Sequence, residues 1–569
     1  MKTLLAALTL VSLVSFAPVA RAQKDDVETR AMKDELKRAM KDLHLESDAG
    51  PYFVAYKIVD TDRKEAQASL GALTQSGEVR NRMLTVTVRV GSYEFDNTGG
   101  PAGTGAEMLL GALTGSGTAL PVDDNYDELR RHIWLATDTA YKRAVEQLSA
   151  KQAAAKNSNR DEKIASFSKA PARQETEISP FVDEKLEDAE RLVKDASAVF
   201  RTLKSVEGGS AQYTIVNSTE QFINSEGTTY VRQESEISFH ASASLQRESG
   251  ETLSDSCAEF GRTAAEMPNE ASLIEKTKAV RDRLAERTHG KAAKRYNGPV
   301  LLEGQAAAEL FAQHFANLLS SRPRSGVSGN TGIAALLNGP TASLSNKMGS
   351  RVLPDFMDVT DNPQLTQVDG HALLGDYKFD EEGTPAQETV LVKDGILKTL
   401  LTSRTPARDM PQSTGNMREH GVMPGNLIVE AAKTSSEDEL KAQMLELVKA
   451  RDLEFGIIVR RMAGNAATEA ARLYPDGHEE ALRDARVADV SATSFKDILA
   501  VTKERTVFNE QVQFTSLLNA SPFAEGDLIS YVVPGMLFED MTVERVSNES
   551  PKPPVVGSPL AAEESAAKN

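Results

Sequence analysis

The chain has 569 residues, a formal charge of -18, a hydrophobic fraction of 40% and a single cysteine. That length holds two or three domains around a large core, and the acidic balance argues against nucleic acid as a partner. With no second thiol there is no internal disulfide framework, and Cys257 reads as a bystander rather than a nucleophile.

Residues 1–22 read as a secretory signal: Lys2 is the charged start, Leu4 to Phe16 the apolar run, and Ala20-Arg21-Ala22 a small-x-small cleavage site. The run is too short to span a bilayer and Pro18 breaks it. No cysteine stands at the cleavage site to carry a lipid. The expectation is an exported chain, periplasmic or secreted, beginning at Gln23 and without a transmembrane segment.

Residues 23–50 form an N-terminal helix in this reading, with Met32, Leu36, Met40 and Leu43 at helical spacing. An N-terminal α/β domain is expected over 51–210. Its strand-like runs are Tyr52 to Asp60, Ala66 to Leu73 and Arg80 to Phe95, where Leu84, Val86, Val88 and Val90 alternate. The Gly-rich stretch from Asp96 to Leu120 lacks a following Gly-Lys-Ser/Thr and reads as an edge loop, not a phosphate loop. Asp123-Asp124 are expected to cap a helix from Tyr126 to Lys156, and Glu184 to Leu203 is a second amphipathic helix. Asn157 to Pro180 reads as irregular.

A small strand-rich middle segment, 211–290, holds runs at Ala211 to Asn217, Glu220 to Asn224, Thr228 to Glu236 and Ser238 to Arg247, then a helix from Ser272 to Glu286. Residues 291–548 make the C-terminal domain. Residues 549–569, rich in proline, alanine and glutamate, read as a disordered tail.

The most informative stretch is Phe379 to Asn416, FDEEGTPAQETVLVKDGILKTLLTSRTPARDMPQSTGN. Asp380 to Glu382 run into a Gly383-Thr384-Pro385 turn, Gln387 to Val392 alternates as a strand, Lys393-Asp394-Gly395 is a tight turn, and Ile396 to Leu401 alternates back. Ser413-Thr414-Gly415-Asn416 closes the unit. An acidic run in a turn is expected to be solvated rather than to do acid/base work. The hairpin resembles the C-terminal domain of the TldD/PmbA family of zinc metallopeptidases, and so do Arg351-Val352-Leu353-Pro354, the Asn224 to Gly227 turn and the Val533 to Asp540 strand. The resemblance implies an α+β fold: an N-terminal α/β domain, the strand-rich middle segment, and a C-terminal domain with helices on a curved mixed sheet. It also implies pairing, as a homodimer or as a heterodimer with a TldD-like relative, around a cavity that takes unfolded peptide by strand addition.

The same resemblance locates the family's metal motif. In the catalytic branch a V-L-L strand runs into H-E-x-x-x-H, which supplies two zinc ligands and a glutamate. Here Val300-Leu301-Leu302 is followed by Glu303 in place of the first His, Gly304 in place of the Glu, and Ala308 in place of the second His. The family's Cys ligand is absent from Asn509 to Pro534. No cofactor is expected in this chain, zinc belonging to the family or to a partner subunit. Glu303 and His314 are the remaining weak catalytic candidates; Glu309 and His314 are five apart, an awkward helical spacing for joint ligation. His420 and His478 begin or end broken zinc motifs, with Asn416 and Leu482 where a second His would stand, and His371 stands alone. Three readings follow: a non-catalytic or partner-dependent subunit of an exported peptidase, an active metallopeptidase with an atypical metal site, or a solitary peptide-binding envelope protein.

Overall fold

The computed structural model describes residues 26–45, 50–99, 117–156, 164–203, 205–247, 250–321, 343–419, 421–512 and 526–546. The expected signal, most of the Gly-rich loop, His420 and the C-terminal tail lie outside the described residues. The fold is α+β, with six α-helices among the described residues and two large sheets.

The first sheet is seven-stranded. Its strands are β1 (Pro51–Ser69), β2 (Ala72–Val90), β3 (Thr118–Ala119), β4 (Gln174–Ile178), β5 (Val206–Asn224), β6 (Thr229–Gln246) and β7 (Thr252–Gly261), in the order β3-β2-β1-β5-β6-β4, with β7 also on β6. The strands of residues 211–290 thus share a sheet with β1 and β2. Where the sequence suggested two runs broken at Thr61 to Glu65, β1 is continuous: Asp60 faces Arg82 across the β1–β2 pair, and polar ladders carry the strand through. Likewise β5 and β6 each fuse two expected runs. The β1–β2 turn uses Leu70 and Gly71, both at positive φ (48° and 84°), a hairpin geometry that the sequence hid behind a leucine. Residues Gln174–Ile178, read as irregular, pair in parallel with β6.

Helices α1 (Val27–Asp42) and α2 (Tyr126–Lys156) cover one end of this sheet, packing Met32, Leu129 and Ile133 on Val54, Tyr56 and Ile58. The α2 N-terminus is capped by Asn125, whose side chain accepts from the Glu128 amide at 3.1 Å, and not by the Asp123-Asp124 pair. Further along the same strands, α3 (Leu186–Ala198) and α4 (Glu270–His289) pack Val193, Ala196, Val280 and Leu284 with Ala66, Tyr213 and Phe239.

The second sheet has twelve strands: β8 (Lys291–Ala292), β9 (Tyr296–Leu302), β10 (Met357–Asp361), β13 (Thr389–Lys393), β14 (Ile396–Leu397), β17 (Asn426–Ala431), β18 (Gly456–Ala463), β19 (Ala466–Leu473), β20 (Glu479–Arg483), β21 (Ala485–Ala488), β22 (Ile498–Val512) and β23 (Asp527–Arg545). Two short ribbons stand apart, β11 (Gln367–Val368) with β12 (His371–Ala372) and β15 (Met417–Arg418) with β16 (Gly421–Val422). The main path is β14-β13-β10-β17-β23-β9-β18-β19-β20-β8. Because β21 pairs with both β19 and β23, the strands β23-β9-β18-β19-β21 close into a ring. Parallel pairs (β17–β23, β9–β18, β8–β20) make the sheet mixed.

Helix α5 (Gly304–His314) buries Ala306, Ala307, Ala308, Leu310 and Phe311 against the inside of this sheet. Helix α6 (Glu437–Ala450) covers the other side of β9, placing Leu440 and Met444 on Leu301. Buried on both faces, β9 needs a continuous apolar run, and Val300-Leu301-Leu302 supplies it.

Candidate functional site

The strand-to-helix junction where the resemblance places the family's metal motif, here with its ligand positions replaced, is closed by ion pairs. Glu303 ends β9, its amide donating to Val459 O at 2.9 Å, and its carboxylate lies 2.8 Å from Arg460 Nε and 2.9 Å from Lys441 Nζ. Burial raises this carboxyl above its ordinary range, and the two cations offset only part of that rise. Arg460 also forks onto Glu479 at 2.9 and 3.0 Å, and Lys441 onto Glu437 at 2.7 Å. Gly304, at φ +43°, offers no side chain, and Ala308 is fully buried in the main core. One carboxylate held by two cations, with no donor at the two neighbouring positions, does not fit zinc, which takes thiolates, imidazoles or free carboxylates converging on one point.

The other candidates scatter. Glu309 accepts from the Met462 amide at 2.6 Å and from Gln305 at 2.7 Å, and burial pushes its carboxyl up to about 7. His314 pairs instead with Asn465 Oδ1 at 2.9 Å, so the two helix neighbours are engaged by different residues of the β18–β19 hairpin. His371 is exposed on β12. His478 stacks on Tyr474, ring centroids 4.2 Å apart, with Nδ1 2.5 Å from Asp476. Cys257 is buried, its thiol pushed up to about 11 by burial. Among the described residues no three His, Cys, Asp or Glu side chains are grouped to hold a metal ion.

A different constellation forms where the C-terminal domain meets the first sheet. The acidic turn, expected to be solvated, is buried: Asp380 is 1% exposed. Its Oδ1 accepts from the amides of Glu382 and Thr384 at 2.9 and 2.8 Å and its Oδ2 from Met417 at 3.1 Å. Burial and the neighbouring Glu382 charge raise its carboxyl. Gly383, at φ +72°, lets the turn press on β6: a Cβ there would stand 2.7 Å from Thr228 Cγ2.

Next to it, Glu381 reaches across the interface to Lys57 Nζ at 2.6 Å and Arg232 Nη1 at 2.7 Å. Arg232 Nη2 also donates to Phe379 O at 2.6 Å, and its Nη1 lies 3.3 Å from Glu220, whose other oxygen accepts from the Tyr230 hydroxyl. Burial alone would raise Glu381, but Lys57 and Arg232 hold it well below the usual carboxylate range, while burial and the Glu381 charge push Glu220 up. Phe53, Ala55, Phe222, Tyr230 and Phe379 pack around these charges.

Two further knots surround the turn. Arg404 donates through Nη2 to Ser168 O at 2.6 Å and pairs with Glu226 at 2.7 Å, its guanidinium 4.0 Å from the Phe167 ring centroid. The Ser413 to Asn416 loop closes on β10: Asn416 Nδ2 donates to Asp361 Oδ2 at 2.7 Å, and Gly425 N to Asp361 Oδ1 at 2.9 Å. Burial pushes Asp361 up to about 7. Lys57, Glu220, Arg232, Asp361 and Arg404 escaped the sequence reading because their partners lie far away in sequence. For Glu220 and Arg232 the available signal was a charge two residues from an aromatic on the same strand face, Phe222 and Tyr230.

Residues 294–545 match the family model described as the PmbA/TldA metallopeptidase C-terminal domain. Over that stretch, less than half of its length, the chain is similar to the TldD/PmbA family. It is 33% identical over 87 residues to a metalloprotease of Archaeoglobus fulgidus, covering 15% of this chain and 19% of that one. It is 29% identical over 108 residues to a metalloprotease PmbA homolog of Buchnera aphidicola, covering 19% and 22%. The aligned stretches therefore span less than a quarter of those relatives. Over whole structures, a Thermotoga maritima protein named as a candidate modulator of DNA gyrase superposes with TM-score 0.58 at 16% identity, covering 90% of this chain and 99% of its own. TldE of Thermococcus kodakarensis gives 0.53 at 14% identity, covering 90% and 99%. At such identities the likeness is one of fold.

Proposed function

We propose that this chain is an exported, non-catalytic subunit of a TldD/PmbA-type peptidase, working with a metal-bearing relative on unfolded peptide. The observation that carries the reading is the double pairing of Glu303 by Lys441 and Arg460 at the junction where the family's ligands would stand, followed by donorless Gly304 and Ala308. A carboxylate already paired with two fixed cations, beside positions without donors, has no partners with which to converge on zinc. What the scaffold retains is sheet, and the main path ends on the short strand β8, whose outer edge suits main-chain pairing with an extended peptide.

The isolated chain is expected to leave unfolded peptides intact, and a co-expressed H-E-x-x-x-H relative to copurify with it. Cleavage by the mixture should vanish when the relative's metal-site Glu is replaced, yet survive Glu303→Ala here. That substitution leaves Arg460 paired with Glu479 and Lys441 with Glu437, so each cation keeps a partner. Chelator-sensitive cleavage by the chain alone would instead favour the atypical-site reading. A folded chain that captures peptide without any relative would favour the solitary binder.

Export rests on the leader pattern of residues 1–22. N-terminal sequencing of the recovered protein is expected to begin at Gln23; a Met1 terminus in the cytoplasmic fraction would contradict it.

A further inference from the structure

Helix α1 carries Arg30, Lys33, Lys37, Arg38 and Lys41 on a chain whose overall charge is -18. Of its acids, Glu28 and Glu35 are buried and Asp34 is engaged by the Tyr126 hydroxyl, while Asp42 is exposed beside Lys41 at the last position. At 3.6 residues per turn, Met40, Lys37 and Lys41 fall on one arc, opposite the buried Ala31, Met32, Glu35 and Ala39, while Arg38 stands at the edge of the buried face and pairs with Glu35. Helix α2 runs alongside in the same direction, Arg30 lying over Tyr126, Arg130 bonding Glu35, Arg38 lying 5.8 Å from the Trp134 ring, and the Tyr141 hydroxyl accepting from the Leu45 amide. The exposed acids Asp123, Asp124 and Asp127 stand at the Tyr126 end, and in the far half the exposed Lys37, Arg38, Lys41, Lys142 and Arg143 outnumber the exposed Asp42 and Glu146. There, large apolar side chains stand in solvent beside the cations: Trp134 is 49% exposed, Leu45 41% and Met40 38%.

We propose that this half of the α1–α2 pair is a docking surface for an anionic lipid bilayer. Cations hold the helix at the headgroups while tryptophan, leucine and methionine enter the boundary between headgroup and acyl chain. The remaining acidic surface is repelled by the same bilayer, which fixes the orientation. Exposed apolar tips between the cations separate this surface from a nucleic-acid face, since a duplex backbone offers them nowhere to insert.

Trp134 is the only tryptophan and reports directly on insertion. The chain beginning at Gln23 would be mixed with vesicles of phosphatidylglycerol and phosphatidylcholine, or of phosphatidylcholine alone, and followed by sedimentation and tryptophan emission. Expected are binding to the anionic vesicles only, a blue shift of the emission, and release at about 0.5 M salt, where the Debye length is a few ångström. Lys37→Glu with Lys41→Glu should weaken binding at least about tenfold while leaving the circular dichroism and melting curve unchanged, both side chains being exposed. Trp134→Phe, read by sedimentation, controls for the tryptophan itself and should keep the preference for anionic vesicles. The proposal is overturned by absence of binding, by equal binding to neutral vesicles, by indifference to the double charge reversal, or by binding to duplex DNA in place of vesicles. Because the vesicles are added to purified protein, a failed export reading and a failed lipid reading give different results.

Discussion

Lys57, Glu220 and Arg232 bring charge onto a strand face that Phe53, Ala55, Phe222 and Tyr230 make otherwise apolar. Such a face is stable only when a partner satisfies it, and Glu381 from the acidic turn does so with contacts of 2.6 and 2.7 Å. Removing one member of a buried set costs more than the set contributes, because the remaining charges stay desolvated. Glu381→Ala, leaving Lys57 and Arg232 to share Glu220 alone on the first-sheet side of the interface, is therefore expected to lower unfolding stability by about 3–5 kcal/mol. The midpoint of urea denaturation reads this directly; a change within about 0.5 kcal/mol, usual for an exposed position, would show the turn to be a solvated one after all.

Elements announce themselves in this sequence where their determinants are local. The hairpin over residues 389–397 is one: Asp394 and Gly395 both take positive φ, 50° and 72°, as a two-residue turn demands, and a Cβ on Gly395 would stand 2.3 Å from Leu353 O. The period of α2 and the apolar run of β9 are others. Polar stretches inside long strands were unreadable because what continues β1 through Thr61 to Glu65 is its partners on β2 and β5, not its own composition. Burial of the acidic turn was unreadable for the same reason, its cations lying at positions 57 and 232.

The loop ending at Asn416 is tied to β10 through Asp361, and that tie is sensitive to pH. Asp361 and Glu309 both sit near 7 in the folded chain, well above the ordinary carboxyl range near 4. Between those values the folded chain holds protons that the unfolded chain has released, so these groups favour folding below about pH 4 and lose that contribution as pH rises through 7. Glu381 and Asp96, both held low, act the other way and only at more acidic pH. Urea midpoints are thus expected to be higher at pH 5 than at pH 8, and Asp361→Asn should narrow the gap, by an amount on the order of 1 kcal/mol. A midpoint that rises from pH 5 to pH 8 would refute the assignment.

At the scale of the molecule, two sheets are joined by buried charge, and the ring of β23, β9, β18, β19 and β21 surrounds the main core. The resemblance over residues 294–545 was legible from motif order alone, since turn glycines and the β9 run are dictated by local backbone and burial requirements. The state of the candidate site was half legible: the replaced positions could be named, but not the locking of Glu303 by Lys441 and Arg460, which come from α6 and β18. That locking makes metal content the direct test of the central claim. Purified chain, recovered without added metal or chelator and analysed by mass spectrometry for zinc, is predicted to hold far less than one equivalent. About one tightly held zinc per chain, surviving dialysis and lost together with any peptide cleavage on chelation, would contradict the non-catalytic reading.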